Sequence, residues 1–230
     1  MNNPYLVNQT TRALIVDDDV FARDYIQKLL DMTGIQHIHK AKDGGEALNV
    51  LRGIDVDVVL LDIHMEPING LEFLKAVRTG QAGVRRDLPV IVLTSIGDER
   101  MLGSALAFDC DGFLLKPSSQ HAVAEKIWAA LVPVQPVIRA PQAYQVIPTN
   151  LTENVNDTGA QEKPLPNHTV TVRWDELEPG NVLARDIRTP RGNTLLTAGT
   201  SLTQHLISRL GELSDLTGFE FVVIKNTAYV

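Results

Sequence analysis

The stretch "DVDVVLLDIHMEPING", residues 55–70, places a carboxylate directly after a run of mostly apolar residues. Residues 56–61 predict a buried β-strand, and the loop that follows Asp62 contains Pro67 and Gly70. A charge at the edge of a hydrophobic core is costly unless another group pairs with it. We therefore expect other segments of the chain to bring a partner to Asp62.

The composition is that of a folded protein with a substantial core. The chain has 230 residues, enough for one large domain or two small ones, and 44% of them are hydrophobic. A net charge of −7 argues against a broad basic surface for nucleic acid. The single cysteine, Cys110, excludes an internal disulfide and fits a reducing compartment. With no apolar run long enough to span a bilayer and no signal-like start, we expect a cytoplasmic protein without a membrane partner.

Residues 11–132 alternate short apolar runs with amphipathic stretches, which predicts five strand–helix units. The first helix illustrates the pattern, because Tyr25, Ile26, Leu29 and Leu30 fall on one helical face and Gly34 is well placed to end it. The strands are almost continuously apolar, which is typical of a parallel sheet covered by helices on both faces. Ligands of such sheets bind beyond the carboxyl ends of the strands, so the functional site is expected there.

The character of the sequence changes after residue 132. Residues 133–168 are rich in Pro, Asn, Thr and Gln and keep no lasting periodicity, which predicts a flexible linker. Tyr144, Val146 and Ile147 are either ordinary linker side chains, which we favour, or anchors for a partner. Residues 169–230 contain short β-like runs around one amphipathic helix and predict a small, mainly-β domain. A domain of that size is near the lower limit for folding alone, so a partner or a second copy is expected to support it.

Polar side chains end four of the predicted strands. Because parallel strands end on one rim, the sequence predicts that these residues meet: Asp17, Asp18, Asp62, Thr94 and Lys116. Carboxylates held close together repel one another, and a hard divalent cation such as Mg²⁺ relieves that repulsion through oxygen ligands. A cation, a lysine and a hydroxyl around one carboxylate favour phosphoryl transfer.

Four motifs at these strand ends together resemble the receiver domain of two-component response regulators. They are "LIVDDD" (14–19), "LLDIHMEPINGLEFL" (60–74), "VLTS" (92–95) and "GFLLKP" (112–117). The resemblance covers roughly residues 11–132 and implies an α/β, flavodoxin-like fold with a five-stranded parallel sheet. It also implies a partner, a sensor histidine kinase or a phosphotransfer protein, that supplies a phosphoryl group.

The resemblance assigns roles to particular residues. Asp62 is implied to accept the phosphoryl group, and Thr94 and Lys116 are implied to contact it. The implied ligands of Mg²⁺ are the carboxylates of Asp17, Asp18 and Asp62 and the backbone carbonyl of His64. Phe113 occupies the position of a switch aromatic, although it is equally readable as a core residue. The Lys116–Pro117 peptide bond is expected to be cis.

Two positions depart from the pattern of the resemblance. Many receivers have proline four residues after the acceptor aspartate, whereas here Glu66 stands there and Pro67 follows, which predicts a changed loop shape. Asp109 stands where glycine is common. It is therefore expected either to adopt a left-handed backbone conformation or to end the preceding helix differently.

Plainer explanations exist for several polar residues. Asp17 and Asp18 are also compatible with a solvated helix start, where acidic side chains favour the positive end of the helix dipole. We prefer the metal role for them and predict that Asp19 is the helix cap. His37 and His39 alternate on a predicted strand and could chelate a metal, but with no third ligand nearby in sequence an exposed strand face is preferred.

The C-terminal part of the chain, residues 168–230, does not identify an output function. Its basic residues do not outnumber its acidic ones, and only one clear helix is present, so we predict no nucleic-acid partner. Residues 177–210 resemble a small β-rich segment attached to some receiver and cyclic-dinucleotide phosphodiesterase modules. We expect a phospho-accepting signalling protein, not an enzyme beyond phosphotransfer and autodephosphorylation, that acts through protein–protein contacts, of which a homodimer is one form. The alternatives are a C-terminal module that binds DNA or a cyclic dinucleotide, and a scaffold that is not phosphorylated.

Overall fold

The structure is a computed structural model, and it describes residues 10–95, 99–132, 139–150 and 169–226. The remainder of the predicted linker, residues 133–138 and 151–168, lies outside the described residues. The chain divides into two compact units. The first comprises Met1–Asp98 with Ala107–Thr149, and the second comprises Glu99–Leu106 with Asn150–Val230.

A five-stranded parallel sheet forms the centre of the first unit. Its strands are β1 (Arg12–Val16), β2 (His37–Ala41), β3 (Val58–Asp62), β4 (Val90–Thr94) and β5 (Gly112–Leu115). They are arranged in the order β2-β1-β3-β4-β5. The direction of the chain across the sheet reverses beside β1, so the carboxyl ends of β1 and β3 are neighbours at the switch point of the fold. The predicted flavodoxin-like sheet is confirmed.

Helices follow the strands in alternation. They are α1 (Val20–Thr33), α2 (Gly44–Gly53), α3 (Gly70–Thr79), α4 (Glu99–Ala107) and α5 (Gln120–Leu131). On one face of the sheet, α1 and α5 bury Ile26, Leu30 and Ile127 against Ile15 and Leu60. Tyr25, predicted to lie on the same helical face as Ile26, is 43% exposed instead. Alternate strand residues point to the opposite face, where α2 packs against β1 and α3.

The ends of α1 agree with the sequence prediction. Asp19 is the N-cap, and its carboxylate accepts a hydrogen bond from the backbone N–H of Phe21. Gly34 ends the helix with a left-handed φ of 93°. The capped start of α1 fixes the direction of the loop that carries Asp17 and Asp18.

A fully buried arginine ties together the segments that enter β4 and β5. Arg78 lies in the last turn of α3 and is 0% exposed. All five of its guanidinium N–H groups donate hydrogen bonds, and the acceptors are the carbonyls of Arg86, Leu88, Phe108 and Asp109 and the carboxylate of Asp111. Asp109 has a φ of 51°, so the left-handed conformation predicted as one alternative is present.

Part of the predicted linker is folded onto the first unit. Helix α6 (Pro141–Gln145) packs against α3, and Tyr144 is 0% exposed. Residues 139–149 therefore differ from the expectation of a flexible linker. The reason is a small set of specific contacts, described below, that a search for helical or strand periodicity does not detect.

The second unit is mainly β, as predicted. Its strands are β6 (Thr169–Arg173), β7 (Ile187–Arg188), β8 (Thr194–Leu196) and β9 (Phe221–Lys225), and its C-terminal helix is α7 (Gln204–Thr217). The strands form two antiparallel pairs, β6 with β9 and β7 with β8. Thr203 caps α7, and its hydroxyl accepts a hydrogen bond from the backbone N–H of Leu206. Most of α4 groups with this unit, and a Cβ on Gly103 would lie 2.4 Å from the carbonyl oxygen of Thr194.

Within the part of the chain that the structure describes, no helix is both long enough and apolar enough to cross a membrane.

Candidate functional site

The carboxyl ends of β1 and β3 bring three carboxylates together. Val16 pairs with Leu61 in the sheet, so Asp17, which follows β1, is placed beside Asp62, the last residue of β3. Carboxylate oxygens of Asp17, Asp18 and Asp62 all lie within 4.8 Å of one another. Asp17 and Asp62 are buried and Asp18 is exposed, so the cluster opens to solvent on the Asp18 side.

Lys116 is the partner of Asp62 that the sequence required. Its Nζ atom lies 2.8 Å from Oδ1 of Asp62 and 2.6 Å from Oδ2 of Asp17. The lysine follows β5, and its backbone N–H donates to the carbonyl of Thr94 at 2.8 Å. The Lys116–Pro117 peptide bond is cis, as expected, and Glu66–Pro67 is also cis.

Burial and charge act in opposite directions on these groups. Burial raises the pKa of Asp62, and although Lys116 lowers it, the pKa stays above the ordinary value for aspartate. Burial acts to lower the pKa of Lys116, but its hydrogen bonds to Asp17 and Asp62 outweigh that effect and the pKa is raised. The lysine is therefore held as a cation, and it offsets only part of the cost of burying the Asp62 carboxylate.

The loop after β1 is fixed by contacts that the sequence analysis did not single out. The backbone N–H of Asp19 donates to Oδ1 of Asp17 at 3.0 Å. The guanidinium of Arg23 donates to the carbonyls of Asp17 and Asp18. Arg23 lies one turn after the Asp19 cap, a position from which a long side chain reaches back to the loop, and that spacing is the signal that could have identified it.

Gly70 allows α3 to begin directly against the end of β3. A Cβ at this position would lie 2.2 Å from the backbone oxygen of Asp62 and 2.9 Å from Cα of Ile63. The backbone N–H of Gly70 donates to the carbonyl of Ile63 at 3.0 Å. The start of α3 therefore holds the backbone that carries Asp62.

The other predicted site residues lie on the neighbouring strand ends or beside them. Thr94 ends β4 and is 2% exposed. Phe113 pairs with Val92 in the sheet and is buried, as a core residue would be. His64 is exposed, two residues beyond Asp62. The structure thus brings Asp17, Asp18, Asp62 and Lys116 into one cluster, with Thr94 at the end of the adjacent strand.

The residues of the cluster suit a hard divalent cation. Three carboxylates offer only oxygen donors, and a single ammonium group faces two of them. Mg²⁺ prefers oxygen ligands and keeps several of its waters, which an open side at Asp18 accommodates. The donor set therefore fits Mg²⁺.

The fold and the site define a doubly wound α/β protein with an acidic pocket at the topological switch point of its sheet. Residues 13–128, half of the chain, match the family described as the response regulator receiver domain. The chain belongs to that family. Receiver domains interact with histidine kinases or phosphotransfer proteins.

The curated relatives match about half of this chain, and they are whole proteins of different named types. A protein-glutamate methylesterase/protein-glutamine glutaminase of Treponema denticola is 35% identical over 117 residues, which is 48% of this chain and 30% of that protein. The probable transcriptional regulator ycf27 of Guillardia theta is 33% identical over 120 residues, 52% of this chain and 45% of that protein. The chain spans less than two thirds of the length of either relative.

Solved receiver domains are similar as well. The signal receiver domain of a signal transduction histidine kinase from Syntrophus aciditrophicus is 27% identical, with a TM-score of 0.49, and covers 55% of this chain and 93% of that one. The chemotaxis protein CheY4 of Vibrio cholerae is 26% identical, with a TM-score of 0.47, and covers 53% of this chain and 98% of that one.

Proposed function

We propose that the protein is a response regulator that accepts a phosphoryl group on Asp62 from a sensor histidine kinase or a phosphotransfer protein. The observation that carries the proposal is the position of Lys116, whose ammonium lies 2.8 Å from the Asp62 carboxylate at the carboxyl edge of the sheet. Membership of the receiver family supports it. Phosphoryl transfer depends on positioning and charge neutralisation, which this arrangement supplies.

The chemistry follows from the groups in the pocket. An oxygen of Asp62 attacks the phosphorus of a phosphohistidine, the P–N bond breaks, and its electron pair passes to the imidazole nitrogen. The product is an acyl phosphate on Asp62. Lys116 balances the added charge, and the hydroxyl of Thr94 donates to a phosphoryl oxygen. Asp17, Asp18, Asp62 and the carbonyl of His64 would hold Mg²⁺, which would further neutralise the phosphoryl oxygens.

Phosphorylation then acts as a switch. The phosphoryl group adds negative charge and three acceptor oxygens to a buried position. Thr94 and Lys116 are drawn toward these oxygens, and Phe113 repacks with them. The result is a shift between two conformations of the segments that leave β4 and enter β5.

Intact-mass measurement after incubation with acetyl phosphate and Mg²⁺ tests the assignment. We expect wild type to gain one phosphoryl group, Asp62→Asn to gain none, and removal of Mg²⁺ with EDTA to prevent the gain. Asp55→Asn is the matched control, because Asp55 is exposed at the opposite edge of the sheet and its loss leaves the pocket intact. Modification of Asp62→Asn to the level of wild type would place the phosphoryl group on another residue and contradict the assignment. Absence of a gain in wild type would favour a scaffold that is not phosphorylated.

We infer that the output is a protein–protein contact and that the second unit serves as the adaptor. Two apolar side chains of its β6–β9 pair support this inference, since Phe221 is 60% exposed and Val170 is 39% exposed. A homodimer is one contact of this kind. The alternative output is binding of DNA or a cyclic dinucleotide by the same unit, and one relative is named a probable transcriptional regulator.

The full chain, with and without phosphorylation, distinguishes these outputs. We expect no binding of DNA or cyclic di-GMP in titrations, and a change in oligomeric state or partner capture on phosphorylation. We also propose a cytoplasmic protein without a further enzymatic activity. Because one relative is named a methylesterase, release of methanol from glutamate methyl esters by the phosphorylated chain would overturn that part.

A further inference from the structure

We propose that residues 139–149 form an intramolecular strap that is bound in the unphosphorylated protein and released when Asp62 is phosphorylated. This inference rests on the proposed function, because it requires Asp62 to be the acceptor. The strap is defined as residues 139–149 and includes α6.

Tyr144 anchors the strap in the first unit. Its ring is fully buried and stacks on Phe108, with 6.3 Å between ring centroids and 16° between ring planes. Its hydroxyl donates to Oδ2 of Asp109 at 2.7 Å and accepts from the backbone N–H of Arg139 at 2.9 Å. A buried tyrosine with both its ring and its hydroxyl satisfied indicates a specific site and not incidental contact.

Arg139 closes the anchor from the solvent side. Its guanidinium carbon lies 4.9 Å from the centroid of the Tyr144 ring, and its Nε atom lies 3.1 Å from Oδ2 of Asp109. The same guanidinium donates to the carbonyl of Ala107, the last residue of α4. Arg86 donates in turn to the carbonyl of Arg139. The strap thus binds the end of α4 and the loop before β5 through the side chains of Arg139 and Tyr144, and its backbone accepts a hydrogen bond from Arg86.

The other end of the strap is tied to α3. Lys75 donates to the carbonyl of Gln145 at 2.8 Å. The side-chain amide of Asn69 donates to the carbonyl of Thr149 at 3.0 Å. Asn69 is the N-cap of α3 and directly precedes Gly70, which abuts the backbone of Asp62.

The strap therefore contacts the segments that a phosphoryl group must move. Asp109 is followed by β5 and then by Lys116, while Ala107 ends the helix that follows Thr94 and β4. Asn69 is adjacent to the glycine that holds Asp62. Movement of Thr94 and Lys116 toward a phosphoryl group shifts the carbonyls and the Asp109 carboxylate that hold the strap. The hydrogen bonds that hold the strap are satisfied with these segments in the positions described here, so displacement of the segments weakens them.

Strap binding and binding of a phosphoryl mimic are thermodynamically linked, so each can be measured as a function of the other. If phosphorylation weakens strap binding by some factor, loss of the strap must strengthen binding of a phosphoryl mimic by the same factor. Couplings of this kind are typically about 5-fold or larger. The probe is beryllofluoride with Mg²⁺, a mimic of the phosphoryl group on a carboxylate.

The experiment uses the full chain. We expect hydrogen exchange of the strap amides to accelerate at least about 5-fold on saturation with beryllofluoride, and Tyr144→Ala to bind beryllofluoride about 5-fold more tightly than wild type. Tyr144→Phe keeps the ring contacts and loses only the hydroxyl, so it is expected to show a smaller change in the same direction. Val146→Ala is the matched control, because Val146 belongs to the strap but is 84% exposed.

The outcomes separate the two proposals. Phosphorylation and mimic binding at Asp62 with unchanged strap exchange and unchanged affinity of the Tyr144 variants would overturn the strap and leave the proposed function standing. Tighter strap protection on mimic binding would also overturn it. Absence of both acetyl phosphate modification and mimic binding at Asp62 would overturn the proposed function, and the release mechanism with it.

Discussion

The two edges of the central sheet carry similar charges in different surroundings. At the amino edge, two guanidinium nitrogens of Arg12 lie 3.7 Å from Oδ2 of Asp55 and 3.5 Å from Oδ2 of Asp57. The side chains of these two aspartates are 93% and 37% exposed. At the carboxyl edge, Lys116 faces Asp17 and Asp62, whose side chains are 1% and 9% exposed. Both edges place one cation between two aspartates. Because the charges at the carboxyl edge are buried, removing or adding a charge there should change the free energy of unfolding more than the same change at the amino edge.

The largest effect is expected on removing the buried cation. Lys116→Ala leaves two carboxylates in the interior without their partner and should lower the free energy of unfolding by about 3 kcal/mol in EDTA. Arg12→Ala breaks solvent-exposed pairs and should cost ~1 kcal/mol or less. Urea unfolding of both variants measures the difference.

Mg²⁺ sharpens this first test. Its addition should restore part of the stability of Lys116→Ala, because a ligand that binds only the folded state stabilises it. Arg12→Ala should gain no more from Mg²⁺ than wild type does. Equal losses for the two variants in EDTA would show that the edges do not differ in the way described.

A second comparison uses glycines near the two edges. Gly70→Ala forces a Cβ to within 2.2 Å of the Asp62 carbonyl oxygen, so we expect a loss of about 2–3 kcal/mol and slower phosphorylation. Gly53, the last residue of α2, has no atom within 4 Å of an added Cβ. Gly53→Ala is therefore expected to be neutral or to stabilise the protein by roughly 0.5 kcal/mol. Thermal unfolding and the acetyl phosphate reaction rate report both properties, and an undisturbed Gly70→Ala would argue against the close packing of α3.

The smallest effect is expected at a charge cluster of intermediate burial. The side chain of Asp109 is 11% exposed, and that of Arg139 is 43% exposed. Burial, followed by the hydrogen bond to Asp109, raises the pKa of Tyr144 above its ordinary value. Tyr144→Phe removes this hydrogen bond and should cost about 1 kcal/mol at neutral pH.

The pH dependence of that cost has a definite sign. Because the pKa of Tyr144 is raised on folding, the contribution of its hydroxyl is fully present below the ordinary tyrosine pKa and is lost as the pH rises through the raised value. Arg139, Asp109 and Phe108 surround the phenol ring. The difference in the free energy of unfolding between wild type and Tyr144→Phe should therefore disappear at alkaline pH. A difference that does not change with pH would contradict the contribution assigned to the Tyr144 hydroxyl.

The sequence predicted that these side chains lie together because strand-end positions follow directly from a parallel sheet. Asp17, Asp62 and Lys116 each follow an apolar run, and parallel strands can end only on a common rim. The helix cap at Asp19 and the left-handed conformation of Asp109 could also be predicted from the sequence, since each depends on a local backbone preference.

The strap and the burial of Arg78 could not be predicted from the sequence in that way. Tyr144 is a single aromatic residue without a periodic pattern, and its burial depends on Phe108 and Asp109, which are distant in sequence. Arg78 would be read as an exposed residue of a helix, because charged residues are almost never fully buried unless paired. Its burial is possible only because backbone carbonyls from two later loops converge on it.

The saturated guanidinium of Arg78 has a consequence for exchanging parts between receivers. Every N–H of that side chain already has its acceptor, so the turns before β4 and β5 are joined as firmly as parts of one loop. Lysine has too few donors and the wrong shape to replace it. Anyone who grafts either turn into another scaffold must transplant both together with the last turn of α3, or accept a vacancy lined with unsatisfied oxygens.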